Sequence, residues 1–557
     1  MYNRILNSKT ETINSAAGIL AVASLISGLL GLFRDRLLAG TFGAGNELDV
    51  YYAAFRIPDF ISTVLVMGAI SAAIIPIFSQ YVVRSREEAW RFFSNLINVF
   101  LFCLIIISIL LIIFVPQILS VIAPGFSGDK KESAVLLTRI MFLSPIILGI
   151  SNVISGVLRV FKRFLVTSLA PIMYNLGIIF GIMFFIPLMG LKGLAWGVVF
   201  GAFLHLLIQI PILLKLGFKL EKVFNFFDPG FLKTIKLTFP RALGLAAGQI
   251  NLIVITAIGS FLASGSIAVF SLANNLQNLP VTLIAVSFST AAFPFLALYF
   301  SQKNKEKLIE EFSFVFRQIV FFIVPISILM FLLRAQIIRI VLGTGKFGWV
   351  DTRLTAACLG IFSFAIFAYG LVLLISKTFY AFHNTKIPAL VTLFTVALNI
   401  ILSFFFIWVL GFENGFQKIL INVLDLEGIK QNSVIGLPLA LVLSGLFQVS
   451  LLLVLLYKKI GDFRIKEIFE SFIKVLSSGV LLGLVCYFVR QIIVGFVDMH
   501  TFAGIFIQGF LASLAGISIY ILSALLFKLK ELNSFSLIWK KINGNQNIRI
   551  INNKFGK

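Results

Sequence analysis

"SAAIIPIFSQY" occupies Ser71–Tyr81, and far along the chain a close echo, "STAAFPFLALY", occupies Ser289–Tyr299. The alignment sets Pro76 on Pro294 and Tyr81 on Tyr299, and a polar, charged turn follows each copy. Two more echoes keep the same order. "SGVLRVFKRF" from Ser155 meets "SKTFYAFHNT" from Ser376 at a nearly equal separation. "GLAWGVVFGAFLHLL" from Gly193 meets "GLPLALVLSGLFQVS" from Gly436, after extra residues in the Phe412–Ser433 loop. Internal repeats of this length are a mark of duplicated transporter folds, so the repeat turns a count of segments into an architecture.

The segments are apolar. Of 557 residues 59% are hydrophobic and only 12% charged, with a mean hydropathy of +1.04 and 61 phenylalanines; soluble proteins carry about 25% charged residues. Crossing hydrocarbon takes about 20 apolar residues. Fourteen such runs can be placed, from 13–33 and 50–82 through 239–262 to 470–495 and 501–527. The expected fold is an all-α polytopic membrane protein. Because the repeat restarts at the seventh helix, each copy has an even number of helices and enters the membrane in the same sense. That predicts two six-helix lobes in a parallel repeat, residues 1–218 and 219–460, related by an axis along the membrane normal. Helices 13 and 14 (461–527) follow as an appendage, and 528–557 form a basic cytoplasmic tail. The first run is preceded by polar residues and followed by charge, not by a small-residue cleavage site, so no removable signal is expected.

A net charge of +23, from 46 Lys+Arg against 23 Asp+Glu, could suggest nucleic acid, but its distribution points to topology. "KLGFKLEKVF" from Lys215, "SQKNKEKLIEE" from Ser301, "YKKIGDFRIKE" from Tyr457 and the Lys-rich C-terminus fall on one side of the fourteen spans. The positive-inside rule makes that side cytoplasmic, with both termini there. Other chemistries lack their residues. "GTGKFG" at Gly343 does not have phosphate-loop spacing. His205, His383 and His500 are too scattered for a metal site, and Cys103, Cys358 and Cys486 lie within spans and imply no disulfide framework. No nucleophile elbow occurs. A membrane-embedded glycan-transfer enzyme would need acid/base groups in an external loop, and Phe412–Ser433 supplies only Glu413, Asp425 and Glu427. No cofactor is expected, and the coupling ion stays open. Helices 7 and 11 contain no Asp or Glu, and Asn251 and Asn399 read as interhelical hydrogen bonders.

Charge inside the spans is therefore the informative feature. "GLFRDRLLAGTFGAGNELDVYYAAFRIPD" (Gly31–Asp59) holds three arginines and four carboxylates. A charge at a helix centre costs about 2.5–3.5 kcal/mol on insertion scales, so these groups must pair, sit at an interface or line water. Asp49, Tyr52, Arg56 and Asp59 fall at i, i+3, i+7 and i+10, one stripe on helix 2, with Arg56 and Asp59 close enough to pair. Pro58 would kink that helix. Arg34, Asp35 and Arg36 are read as the end of helix 1. Guanidinium groups in a cavity suit phosphate or carboxylate through paired, charge-assisted hydrogen bonds. An anionic amphiphile, head in the cavity and tail in lipid, fits a large apolar transporter.

These residues resemble the MurJ/MviN family of lipid II flippases, within the multidrug/oligosaccharidyl-lipid/polysaccharide exporter superfamily. The resemblance rests on Gly31–Asp59, "GAISAAIIPIFSQY", "APGF" at Ala123, "FLASGSIAVFSLANNLQNLPV" from Phe261 and "GKF" at Gly345, and covers nearly the whole chain. It implies a transporter, not an enzyme. Its substrate would be lipid II, the undecaprenyl-pyrophosphate-linked peptidoglycan precursor, carried from the cytoplasmic to the external leaflet of the bacterial inner membrane by alternating access, with membrane lipids and cell-wall synthesis proteins as partners. On that analogy Arg34, Asp35, Asp49 and Arg56 line the cavity. Asn274 and Asn275 stand where many members carry an Asp-Arg pair, Gly28 and Ser62 where they carry arginine, and Met67 where they carry glutamate. The asparagines can still donate hydrogen bonds to a pyrophosphate but lack the Coulomb term. The departures keep open another polyprenyl-linked glycan or an amphiphilic drug as substrate.

Overall fold

The computed structural model describes residues 13–67, 74–429 and 431–532. Ser71–Ala73 of the first repeat copy and the tail from residue 533 lie outside the described residues. Every regular element described is helical, as hydrocarbon demands: a backbone without water must satisfy its own N–H and C=O groups, and a helix does so within one segment. Several helix starts are capped by side chains. Ser85 accepts from the amides of Glu87 and Glu88, Asp228 from Phe231, Asn304 from Lys307 and Thr501 from Gly504, each serving N–H groups that the first turn leaves unpaired.

Among the described residues eleven helices are long and apolar enough to cross a membrane, twelve if Trp349–Ser363 and Ile366–Ala381 make one broken span. The remaining two of the fourteen expected spans are compatible with this count. The run at 50–82 includes residues outside those described. That at 239–262 falls on the Pro229–Gly259 helix, whose apolar part, Leu245–Gly259, is short by itself. One boundary differs plainly. The first helix runs Ile13–Phe42, so Arg34, Asp35 and Arg36 lie inside it, about two turns before its end.

Wide turns punctuate the spans. Helix Asn46–Ile61 contains Pro58 and continues into a π-helical turn, Ser62–Met67; helix Ser266–Pro280 ends on Pro280 and continues into the π turn Val281–Val286. On the alignment that sets Pro76 on Pro294, these two turns occupy nearly the same place in the two copies of the sequence repeat. A third π turn, Gly181–Phe185, interrupts the fifth expected span.

Contacts divide the chain into two compact units. One holds the residues up to Leu279 with Ile337–Ala365 and Lys386–Gln448; the other holds Pro280–Gln336, Ile366–Thr385 and the residues from Val449. In the first, Phe78, Trp90, Phe93, Phe161 and Phe218 pack ring against ring. Beside them lies a buried polar chain. Ser155 Oγ donates to Gln209 Oε1 (2.7 Å), Gln209 Nε2 donates to Ser151 Oγ (2.7 Å), and Ser151 Oγ meets His205 Nδ1 at 2.6 Å. His205 thus fills a satisfied structural role. In the second unit Glu531 accepts from Ser471 (3.0 Å) and lies 3.5 Å from Arg317, while Tyr520 donates to the Phe321 carbonyl.

Candidate functional site

The first unit gathers the charged residues of helix 1 with polar residues from distant parts of the chain. Arg34 Nε and Nη2 both donate to Asp35 Oδ1, at 3.0 and 2.8 Å, and Nη1 donates to Asn175 Oδ1 at 3.2 Å. Asn175 lies on helix Phe164–Phe180 and is itself held by Ser27, whose hydroxyl accepts from Asn175 Nδ2 at 3.2 Å. The other oxygen of Asp35 accepts from Asn275 Nδ2 at 2.9 Å. Three of the expected residues, Arg34, Asp35 and Asn275, therefore form one connected group, and Asn175 completes it. Sequence reasoning missed Asn175; the available signal was an asparagine one turn after Pro171 in an otherwise apolar run.

Arg56 lies on helix Asn46–Ile61 and reaches across to two others. Nε donates to Thr256 Oγ1 at 2.8 Å and Nη2 to Ser271 Oγ at 3.3 Å. Asp59, on the same face, stays within coulombic reach. Both bonds go to neutral hydroxyls, and a guanidinium has five N–H donors, so Arg56 keeps donors to offer. Arg34 differs, because Asp35 neutralises it at contact distance. Tyr52 Oη and Gln277 Oε1 are buried without a hydrogen-bond partner among the described residues, and such orphans call for a water or a ligand. Asn274 Oδ1 accepts from Gln277 Nε2 at 2.8 Å within its own helix. Both Asn274 and Asn275 sit well inside Ser266–Pro280, not at its start.

Asp49 belongs to a second group, at the opposite end of its helix from Pro58. Its side chain is 2% exposed. Oδ1 accepts from the amide of Ala268 (2.9 Å), and Oδ2 accepts from the amide of Gly265 (2.8 Å) and from Lys130 Nζ (3.0 Å). A carboxylate here takes up the unpaired N–H groups at the start of Ser266–Pro280 and meets the positive end of its dipole. Neighbouring contacts repeat across the two copies. The Gly125 amide donates to Ser260 Oγ (2.9 Å), and the Lys346 amide donates to the Gly40 carbonyl (2.8 Å). A Cβ on Gly125 would strike the Ser260 carbonyl, and one on Gly345, at the matching place in the second copy, would strike the Gly40 carbonyl. Asp351 adds acceptor bonds to the amides of Ala44 (3.2 Å) and Gly348 (3.0 Å). Arg36, on the helix that bears Arg34, donates to the Ile340 carbonyl at 2.6 Å. These turns are fastened to one another mostly through backbone groups.

Among the described residues no group of three or more His, Cys, Asp or Glu is placed to hold a metal ion, and the three cysteines are free. Asn399 Nδ2 donates to Ser444 Oγ at 3.4 Å, across to helix Gly436–Ile460, while Asn251 Oδ1 is buried without a hydrogen-bond partner among the described residues.

Residues 38–507 match the family described as "Lipid II flippase MurJ". The "Probable lipid II flippase MurJ" of Buchnera aphidicola subsp. Acyrthosiphon pisum (strain APS) is 32% identical over 393 residues, 70% of this chain and 77% of the relative. That of Borreliella burgdorferi is 27% identical over 387 residues, 70% and 76% of the two chains. A solved structure, "Lipid II flippase MurJ, inward closed conformation", superposes with a TM-score of 0.72 at 26% identity, covering 94% of this chain and 99% of the other. An inward-facing multidrug resistance transporter of the MATE family shares the fold at 14% identity, with a TM-score of 0.65 over 80% and 99%. Matched along most of its length in sequence and in fold, the chain belongs to the MurJ family of lipid II flippases.

Proposed function

We propose that this protein is a lipid II flippase. It carries the undecaprenyl-pyrophosphate-linked peptidoglycan precursor from the cytoplasmic to the external leaflet of the bacterial cytoplasmic membrane, for cell-wall synthesis, and makes or breaks no covalent bond. The observation that carries the reading is the polar group inside the helices. Arg56 is held by two neutral hydroxyls with donors to spare, beside the Arg34–Asp35–Asn275–Asn175 cluster and the orphaned Tyr52 hydroxyl. In this reading Arg56 and Arg34 receive the pyrophosphate, Asp35 holds Arg34 until substrate competes for it, and Asn274 and Asn275 add neutral donors. Both termini are cytoplasmic, and the two six-helix lobes, 1–218 and 219–460, rock to expose the site alternately on either face.

One observation favours a second substrate. Asn275, which donates to Asp35, is neutral, and Arg34 is already paired with Asp35, so the site holds fewer free cations than a pyrophosphate can engage. A different polyprenyl-linked glycan, or an amphiphilic drug, would need fewer. The deciding experiment is replacement: the chain is expressed in bacteria depleted of their own flippase, and externally accessible lipid II is measured. Restored translocation and growth is the expected result. A folded, membrane-inserted protein that leaves lipid II inside but exports another glycan would establish the second substrate.

A further inference from the structure

Away from the transport site, Pro116, Lys131, Glu132, Val135, Leu136 and Arg139 line a cleft of about 360 Å³ on the outer surface of the first unit. Arg139 is exposed, and among the described residues it has no hydrogen-bond or ion-pair partner. It lies on helix Gly128–Met141, about three turns from the start and so about 16 Å along the axis, in a segment that counts with Leu143–Val160 as one membrane span. A lone arginine on a lipid-facing surface is costly, and it is tolerated by reaching toward the interface. The geometry gives it a direction. Side chains of a helix tilt toward its N-terminus, so the guanidinium points back over Val135 and Leu136 toward Glu132. The 33-residue span is about 50 Å long against roughly 30 Å of hydrocarbon, which leaves about 10 Å at each end. That places the guanidinium close to the hydrocarbon boundary, at the depth of lipid phosphates.

The second cation is fixed by its surroundings. Lys131 Nζ donates to Ser120 Oγ at 2.8 Å, and Ser120 Oγ donates to the Pro116 carbonyl at 2.9 Å. The ammonium is thereby held over the Arg86–Ile122 helix, with two N–H donors still free. Two cations facing one carboxylate give the cleft a net charge of +1, with apolar Val135, Leu136 and Pro116 lining it at about the depth of the hydrocarbon boundary. A neutral or zwitterionic head group would leave that charge uncompensated; a phosphate diester with uncharged hydroxyls compensates it.

We infer that this cleft binds the head group of an anionic glycerophospholipid of the phosphatidylglycerol type. The phosphate lies between Lys131 and Arg139, the glycerol hydroxyls face Glu132, and an acyl chain follows Val135 and Leu136. Charge-assisted bonds to two converging cations supply the selectivity. The inference requires that the chain crosses a membrane, not that it transports lipid II, so failure of the flippase reading leaves it standing.

The test is native mass spectrometry of the delipidated full-length protein in detergent, titrated with phosphatidylglycerol, phosphatidylcholine, phosphatidylethanolamine or inorganic phosphate. The wild type should retain one phosphatidylglycerol in preference to the zwitterionic lipids, and inorganic phosphate should not displace it. Lys131→Gln with Arg139→Gln should weaken that binding about 30-fold, near the effect of two juxtamembrane cations. Glu132→Gln should tighten it, an opposite sign that a misfolded protein cannot produce. Equal retention of phosphatidylethanolamine, displacement by phosphate alone, or binding unchanged in these variants would overturn the assignment.

Discussion

Replacing Asp49 with asparagine tests whether the turn contacts hold one face of the transporter shut. The carboxylate accepts two backbone amides and a lysine within 2.8–3.0 Å while almost wholly buried. Asparagine fits the space but brings one acceptor oxygen and an NH2 group. Whichever way it turns, either Ala268 or Gly265 with Lys130 faces a donor, and the charge is gone from all three bonds. Hydrogen bonds to a charged group contribute about 1.5–3 kcal/mol each. Losing one outright and weakening the others removes about 3 kcal/mol, roughly a 150-fold change in an equilibrium. In the proposed topology these turns are external, and alternating access requires them to separate once per cycle. The variant should therefore favour the externally open state by about that factor. The assay is labelling of Ala44→Cys, a position 7% exposed beside Gly265, by a membrane-impermeant maleimide in intact cells; the native cysteines lie within spans. The rate should rise by tens-fold or more in the Asp49→Asn background. An unchanged rate with correctly inserted protein would refute the idea that this carboxylate holds the external face closed.

Arg34→Ala and Arg56→Ala should each abolish most lipid II translocation in flippase-depleted cells while leaving membrane insertion intact, and Arg56→Lys should recover only part, because an ammonium lacks the planar fork; normal flux in both alanine variants would remove them from the site. Gly345→Ala should lower the melting temperature of the purified protein by the equivalent of more than about 1 kcal/mol, since φ is +54° and the new Cβ meets the Gly40 carbonyl; Gly128→Ala, also at positive φ but with open space around it, should cost less. Gln209→Leu strands Ser155 and takes one of the two partners of Ser151, which keeps His205, and should cost about 1–3 kcal/mol by thermal unfolding, without changing substrate preference in the surviving protein.

The sequence announced what depends on side-chain pattern and was silent where the backbone acts. Arg56 was legible because helical spacing puts it on a stripe with Asp49 and Tyr52, inside a segment where charge is expensive. Its partners were not, since Thr256 and Ser271 are ordinary hydroxyls on helices far along the chain. The triplet at 34–36 read as the end of a span because charges normally stop one. The helix continues since Arg34 finds Asp35 and Asn175, and Arg36 finds the Ile340 carbonyl, so each charge is compensated where it stands. Asp49 stands out by its place on the stripe, but its partners do not: they include the amides of Gly265 and Ala268, groups that every residue but proline possesses and no composition reveals.

The wide turns at Ser62–Met67 and Val281–Val286 also set which faces the helices beyond them present. A π turn is one residue inserted into an α-helix that has closed around it, and it persists because removing it would rotate everything beyond by about 100°. The two turns stand in step with the echoes of the sequence, so each shifts the helix face beyond it by the same angle. The turn at Gly181–Phe185 has no such twin: its counterpart in the second copy, helix Lys386–Leu410, runs through without a π turn. There the shift of about 100° belongs to one echo alone.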